Sequence, residues 1–201
     1  MPALILASAR ELFLDQGFAS TSLQQIAARA GVTKRTLYVK VGDKEALFGA
    51  VVADMLRDWR ESVVVAGGTG TLRSRLEQIG HQLLSVLLAP DMVRLHRVLS
   101  AEIYRFPALI QLMMQQSEDG PIPQLARLLM AELGASGVPS RHDMVAARLL
   151  HEMISSAPLR MAVFGRGPSI QITREEWVQE AVDMFLRGWP HATATPEGAR
   201  T

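Results

Sequence analysis

Residues 22–38 read SLQQIAARAGVTKRTLY. Ser22 and Gln25 fit the S-x-x-Q capping box, in which each side chain caps the other residue's backbone N–H and a helix begins. Ile26, Ala27 and Ala30 follow at helical spacing. Gly31 breaks that helix, and Thr33 is a good N-cap for another short one through about Tyr38. Two short helices joined by a tight turn at Ala30-Gly31-Val32 make a helix-turn-helix. In the second helix Val32 and Leu37 face inward by spacing, which leaves Lys34, Arg35, Thr36, Tyr38 and Lys40 facing outward. Such donor-rich side chains have the reach for base edges and phosphates. The N-termini at Ser22, Thr33 and Lys44 add backbone N–H donors for phosphate. A solvated charged face is the plainer reading of Lys34 to Lys44, but the tight turn, the two caps and the tyrosine together favour DNA.

Working outward, nearly every segment reads as helix. Before the motif, Leu4, Ala7, Leu12 and Phe13 are placed on one side of a first helix that stops at Gly17. After it, Asp43 caps a longer helix with Leu47, Val51, Met55 and Trp59 in its apolar stripe, reaching about Ala66 before Gly67-Gly-Thr-Gly70. Further helices are expected over Leu72–Ala89, Met92–Phe106, and about Pro107–Leu133 with an interruption at Gly120-Pro-Ile-Pro123. Ser140-Arg-His-Asp143 resembles a capping box before a helix ending near Ser156, and Thr173-Arg-Glu-Glu176 caps a last helix through Arg187. No strand pattern of useful length and no internal repeat is visible.

Across its 201 residues the chain is 48% hydrophobic and 20% charged with a net charge of +1, so any nucleic-acid function must come from a local patch. Residues 1–50 supply one, with six cations against four carboxylates and four of the six between 34 and 44. With no cysteine, thiolate chemistry and disulfides are excluded. No apolar run approaches the roughly 18 residues of a membrane span, and the N-terminus lacks a signal-peptide pattern. A cytoplasmic protein with no membrane partner is the expectation.

The stretch ILASARELFLDQGFASTSLQQIAARAGVTKRTLYVKVGDKEALFGAV, residues 5–51, resembles the DNA-binding region of TetR/AcrR-type transcriptional regulators. The pattern covers about a quarter of the chain: A-x-x-L-F, a G-F turn, T-S before a helix, I-A-x-x-A-G-V-T, T-L-Y and D-K-E-x-L. The resemblance implies an all-α homodimer of about nine helices per chain. A three-helix head over residues 1–50 would read DNA, and a body over 51–189 would bind a ligand and dimerise. Residues 190–201 are expected to be a disordered tail. Match to the motif places Thr33, Lys34, Arg35, Thr36 and Tyr38 on the recognition helix, and Ser22, Tyr38, Lys40 and Lys44 at phosphate contacts. Arg35 is the candidate for reading a guanine. Two departures stand out. Lys40 and Val41 replace an aromatic or histidine followed by phenylalanine, and the basic arm usual before the first helix is nearly absent. Either that contact is missing or Met1 is not the natural start.

In the body, Trp59, His81, His96, Tyr104 and Met114 combine bulk with a polar or polarizable handle and are the candidates to line an effector pocket. Ordinary helix packing is the plainer account of each. Leu149 and Met153 on one late helix, with Trp177, Ala181 and Phe185 on the other, suit a dimeric four-helix bundle, although in part these stripes must pack within the chain. Ala157-Pro-Leu-Arg-Met-Ala-Val-Phe-Gly165 resembles AefR-like bodies of the same family. The histidines lack ligating partners at helical spacing, and no catalytic constellation or phosphate loop appears. No metal, no cofactor and no enzyme activity are expected. The reading is a repressor that binds a palindromic double-stranded operator as a homodimer and is released by a small, mostly apolar effector. The rival is a ligand-binding or scaffolding helical protein with weakened DNA specificity.

Overall fold

The computed structural model describes residues 2–62, 70–102, 104, 106, 120–166 and 171–189. Within them the regular structure is α-helical: α1 Ala3–Ser20, α2 Leu23–Arg29, α3 Lys34–Val41, α4 Lys44–Ser62, α5 Leu72–Leu87, α6 Pro90–Glu102, α7 Pro121–Glu132, α8 Arg141–Val163 and α9 Arg174–Gly188. The expected tail, the end of the long helix beyond Ser62, and Met114 lie outside the described residues.

Local sequence accounts for most helix starts. Ser22 accepts from Gln25 N while Gln25 Oε1 accepts from Ser22 N at 2.7 Å, closing the capping box. Reciprocal boxes also open α8 at Ser140/Asp143 and α9 at Thr173/Glu176. Thr33 and Thr71 cap α3 and α5, and Asp43 accepts from Ala46 N at 2.7 Å. Pro90 is the first residue of α6, two places before the start expected at Met92, where its missing N–H costs nothing.

Two expectations are corrected. The buried face of α1 is Ile5, Ala9, Leu12 and Phe13, whereas Leu4 is 71% exposed and Ala7 is exposed. Ala7 and Leu12 are five residues apart and fall about 140° around the helix from one another, so they cannot share a stripe. Gly17, at φ 78° and ψ 169°, is non-helical and breaks the regular helix where expected, and one further turn follows to Ser20. The second correction is α8, which passes Ser156 and continues through Pro158 to Val163. Proline cannot donate to the carbonyl four residues back. Here that carbonyl, Ile154 O, accepts from the indole Nε1 of Trp177 at 2.9 Å, and the helix survives.

Two apolar clusters organise the chain. One joins α1–α4 with Met92, Leu95, Val98 and Leu99 of α6, so residue 50 sits inside α4 with cluster members on both sides. The other fills the space among α5, α7, α8 and α9. Trp59 packs against both. Gly80 on α5 lets α9 approach closely: a Cβ there would meet Val178 Cγ1 at 2.7 Å and Ile154 Cδ1 at 3.2 Å.

Candidate nucleic-acid interface and effector region

The head presents α3 on a rigid base. Leu37 is fully buried against the cluster that holds Phe13, Ile26 and Phe48. Gly31, at φ 65°, makes the turn from α2 in a conformation that favours glycine. On the outer side Thr33, Lys34, Arg35, Thr36, Tyr38 and Lys40 are all exposed, as is Ser22 at the start of α2. Lys34 Nζ lies 5.6 Å from the centre of the Tyr38 ring, one turn along. The Thr33 and Thr36 hydroxyls are 2.9 Å apart.

Lys44 differs from the other cations. Its ammonium donates to Phe18 O and Thr21 O, each at 2.9 Å, and lies 4.2 Å from the centre of the Phe18 ring. These carbonyls close the end of α1, just before the Ser22 cap. The side chain therefore fixes α4 to the entry of the helix-turn-helix. Val39 was absent from the residues singled out by sequence, yet it is 78% exposed on the recognition helix. Counting 100° per residue from Leu37 was the signal that could have found it.

The head is tied to the body by charge and by aromatic contact. Arg10 donates to Asp91 at 3.0 Å; Arg94 donates to Asp15 at 2.7 Å and to Asp91 at 2.7 Å. Arg10–Asp91 and Arg94–Asp15 connect α1 to α6, while Arg94–Asp91 lies within α6. Phe18 meets Phe106, just beyond α6, edge to face with ring centres 4.7 Å apart.

Among the pocket candidates, Trp59, His81 and His96 lie on α4, α5 and α6, and α5 packs against both of the others. The Trp59 Nε1 is buried without a hydrogen-bond partner among the described residues. His96 Nδ1 is 2.8 Å from Met92 O. A carbonyl only accepts, so Nδ1 carries the proton. Tyr104 does not join this group: it is 93% exposed, because it follows the end of α6. Of the residues expected at a dimer interface, Leu149 is 56% exposed and Met153 is half-buried. Ala181 and Phe185 are buried in the chain's own second cluster, and Trp177 directs its indole N–H into α8. Val145 and Met184 add exposed apolar surface on α8 and α9.

Comparison with known proteins settles the lineage. Residues 5–51 match the family of bacterial regulatory proteins described as the tetR family, and residues 74–189 match the AefR-like transcriptional repressor C-terminal domain. The chain belongs to the TetR family. A TetR-family regulator from Mesorhizobium loti MAFF303099 superposes with TM-score 0.74 and 25% identity, covering 92% of this chain and 94% of that one. The flavonoid-responsive regulator FrrA gives TM-score 0.71 and 28% identity over the same shares. The HTH-type regulator YezE of Bacillus subtilis (strain 168) is 26% identical over 106 residues, 52% of this chain and 55% of that protein, so the match spans about half of YezE.

As a TetR-family regulator the chain is a transcription factor and not an enzyme. Its departures from the family pattern have definite places. Val41 is half-buried and packs on the head's cluster in the place of a larger ring. Lys40 is exposed beside it. No helix among the described residues of this regulator is long and apolar enough to cross a membrane.

Proposed function

We propose that this regulator is a one-component repressor that binds a palindromic operator as a homodimer and leaves it when a small, mostly apolar effector enters the body. The observation that carries the reading is the outward face of α3, where Lys34, Arg35, Tyr38 and Lys40 stand exposed on a helix anchored by Leu37 and entered through a capped turn. Cations on both flanks suit phosphates, and Arg35 suits a guanine edge. Ser22 and the α4 N-terminus supply further phosphate contacts.

The dimer would form on α8 and α9, where Val145, Leu149 and Met184 are uncovered. Two-fold pairing of these helices would give a four-helix bundle. The two heads would then address major grooves about 34–36 Å apart. The effector would lie where α4, α5 and α6 meet, with the Trp59 N–H as a donor awaiting an acceptor. A buried donor without a partner costs about 1–3 kcal/mol, which a ligand oxygen would recover. That FrrA is flavonoid-responsive supports an aromatic, oxygen-bearing effector of this kind. The contacts of α1 with α6 supply the route by which ligand-dependent movement would alter head spacing. Only unequal affinity for two conformers can drive the change.

Selection from a random duplex library at about physiological salt tests the reading. A palindrome with half-sites one turn apart is the expected result. Salt-sensitive binding without sequence preference would favour instead the ligand-binding or scaffolding alternative, which the Lys40–Val41 departure motivates.

A further inference from the structure

The recognition helix carries one side chain that neither the donor inventory nor the core accounts for. With Leu37 as the inward reference and 100° per residue, Arg35 and Val39 fall about 160° and 200° around the helix, directly opposite the core. Lys34 and Tyr38 occupy one flank, and Thr36 and Lys40 the other. The flanking rows suit the two phosphate backbones of a groove. The central row, Arg35 and then Val39 one turn later, is the one that meets base edges. Val39 is 78% exposed. A lone exposed valine is unremarkable on most surfaces. Here it is a β-branched residue of modest helix propensity, at the outermost point of a helix flanked by cations, where a polar residue would serve solubility and helix formation better.

We propose that Val39 is a specificity-determining residue that packs on the C5-methyl group of a thymine in each operator half-site, close to the base read by Arg35. The proposal rests on the operator-binding reading above. Valine offers no hydrogen bond, so the only base feature in the major groove that it can recognise favourably is the thymine methyl. A methyl–methyl contact taken out of water at this site is worth roughly one buried methylene, about fourfold in affinity per half-site. The helix then reads two chemistries in sequence: hydrogen bonds through Arg35 and an apolar contact through Val39.

The test uses the full-length protein and the operator recovered by library selection. Each thymine of the half-site is replaced singly by deoxyuridine, which removes the methyl and leaves pairing intact. Binding is then measured for the wild type and for Val39→Ala, with matched melting temperatures as the folding control. The expected result is one thymine whose replacement weakens wild-type binding by about fourfold per half-site and leaves the Val39→Ala protein nearly unaffected. A selected half-site without thymine, or equal sensitivity to deoxyuridine in both proteins at every position, overturns the Val39 contact while leaving operator recognition standing. Failure to select any sequence overturns operator recognition itself, and the Val39 contact with it.

Discussion

Lys40 and Lys44 are four residues apart and both basic, but their surroundings assign them different tasks. Lys44 donates to two carbonyls at the end of α1, whereas Lys40 is exposed at the end of α3. Lys44→Ala is therefore expected to lower unfolding free energy by about 1–3 kcal/mol, since two carbonyls lose a charged donor. Lys40→Ala should leave stability within about 0.5 kcal/mol and reduce the slope of log affinity against log salt by about one. Denaturant titration and salt-dependent operator binding separate the two. Family resemblance puts both residues at phosphate contacts; the carbonyls that Lys44 holds are not legible in the sequence because they lie 26 and 23 residues away in the chain. A titration follows at the same scale. His151 is held below the usual 6.5, first by desolvation, with Glu152 opposing and Arg148 adding to the depression. The unfolded chain therefore binds this proton more readily than the folded one. His151 favours the fold fully above pH 6.5 and loses that contribution as pH falls toward the lowered value. Melting temperature should drop between about pH 7 and 5, and His151→Gln should flatten that part of the profile.

Helix starts were legible at the level of elements because their determinants are local. A capping box needs residues three apart, and those at Ser22, Ser140 and Thr173 open helices as read. The course of α8 was not legible. Pro158 signals an end, and the donor that removes the penalty comes from Trp177 on α9, 23 residues away from Ile154. By its place in the apolar stripe of the last helix, the same residue belongs to the expected dimer face. This arrangement predicts a coupling. Trp177→Phe should cost about 1–3 kcal/mol by leaving Ile154 O without its donor. In a Pro158→Ala background the new backbone N–H can take that carbonyl, and the cost of Trp177→Phe should fall. A double-mutant cycle by chemical denaturation reads the interaction energy; additive effects would mean that the indole does not compensate for the proline.

At the scale of the whole molecule, the first cluster makes α6 part of the head's foundation, while the second cluster holds α5 with α7, α8 and α9. Trp59 touches both, and its N–H has no partner among the described residues, so a ligand there would act at the seam of the two. Sequence could mark Trp59 by its chemistry, but not its place between two cores, which depends on packing among α4, α5 and α6. The dimer stripe was half legible for a related reason: helical period shows that a face is apolar, not which apolar face its own chain covers. Ala181 and Phe185 are covered, and Leu149 is not. Leu149→Glu places a charge at the proposed two-fold contact without disturbing the buried core. It should shift the protein from dimer to monomer in sedimentation at micromolar concentration. Each head would still meet a half-site, but the second contact would no longer be intramolecular, and affinity for the full palindrome should fall by about 10²-fold or more. Affinity for an isolated half-site should change far less. A Leu149→Glu protein that remains dimeric with unaltered palindrome affinity would move the interface away from α8.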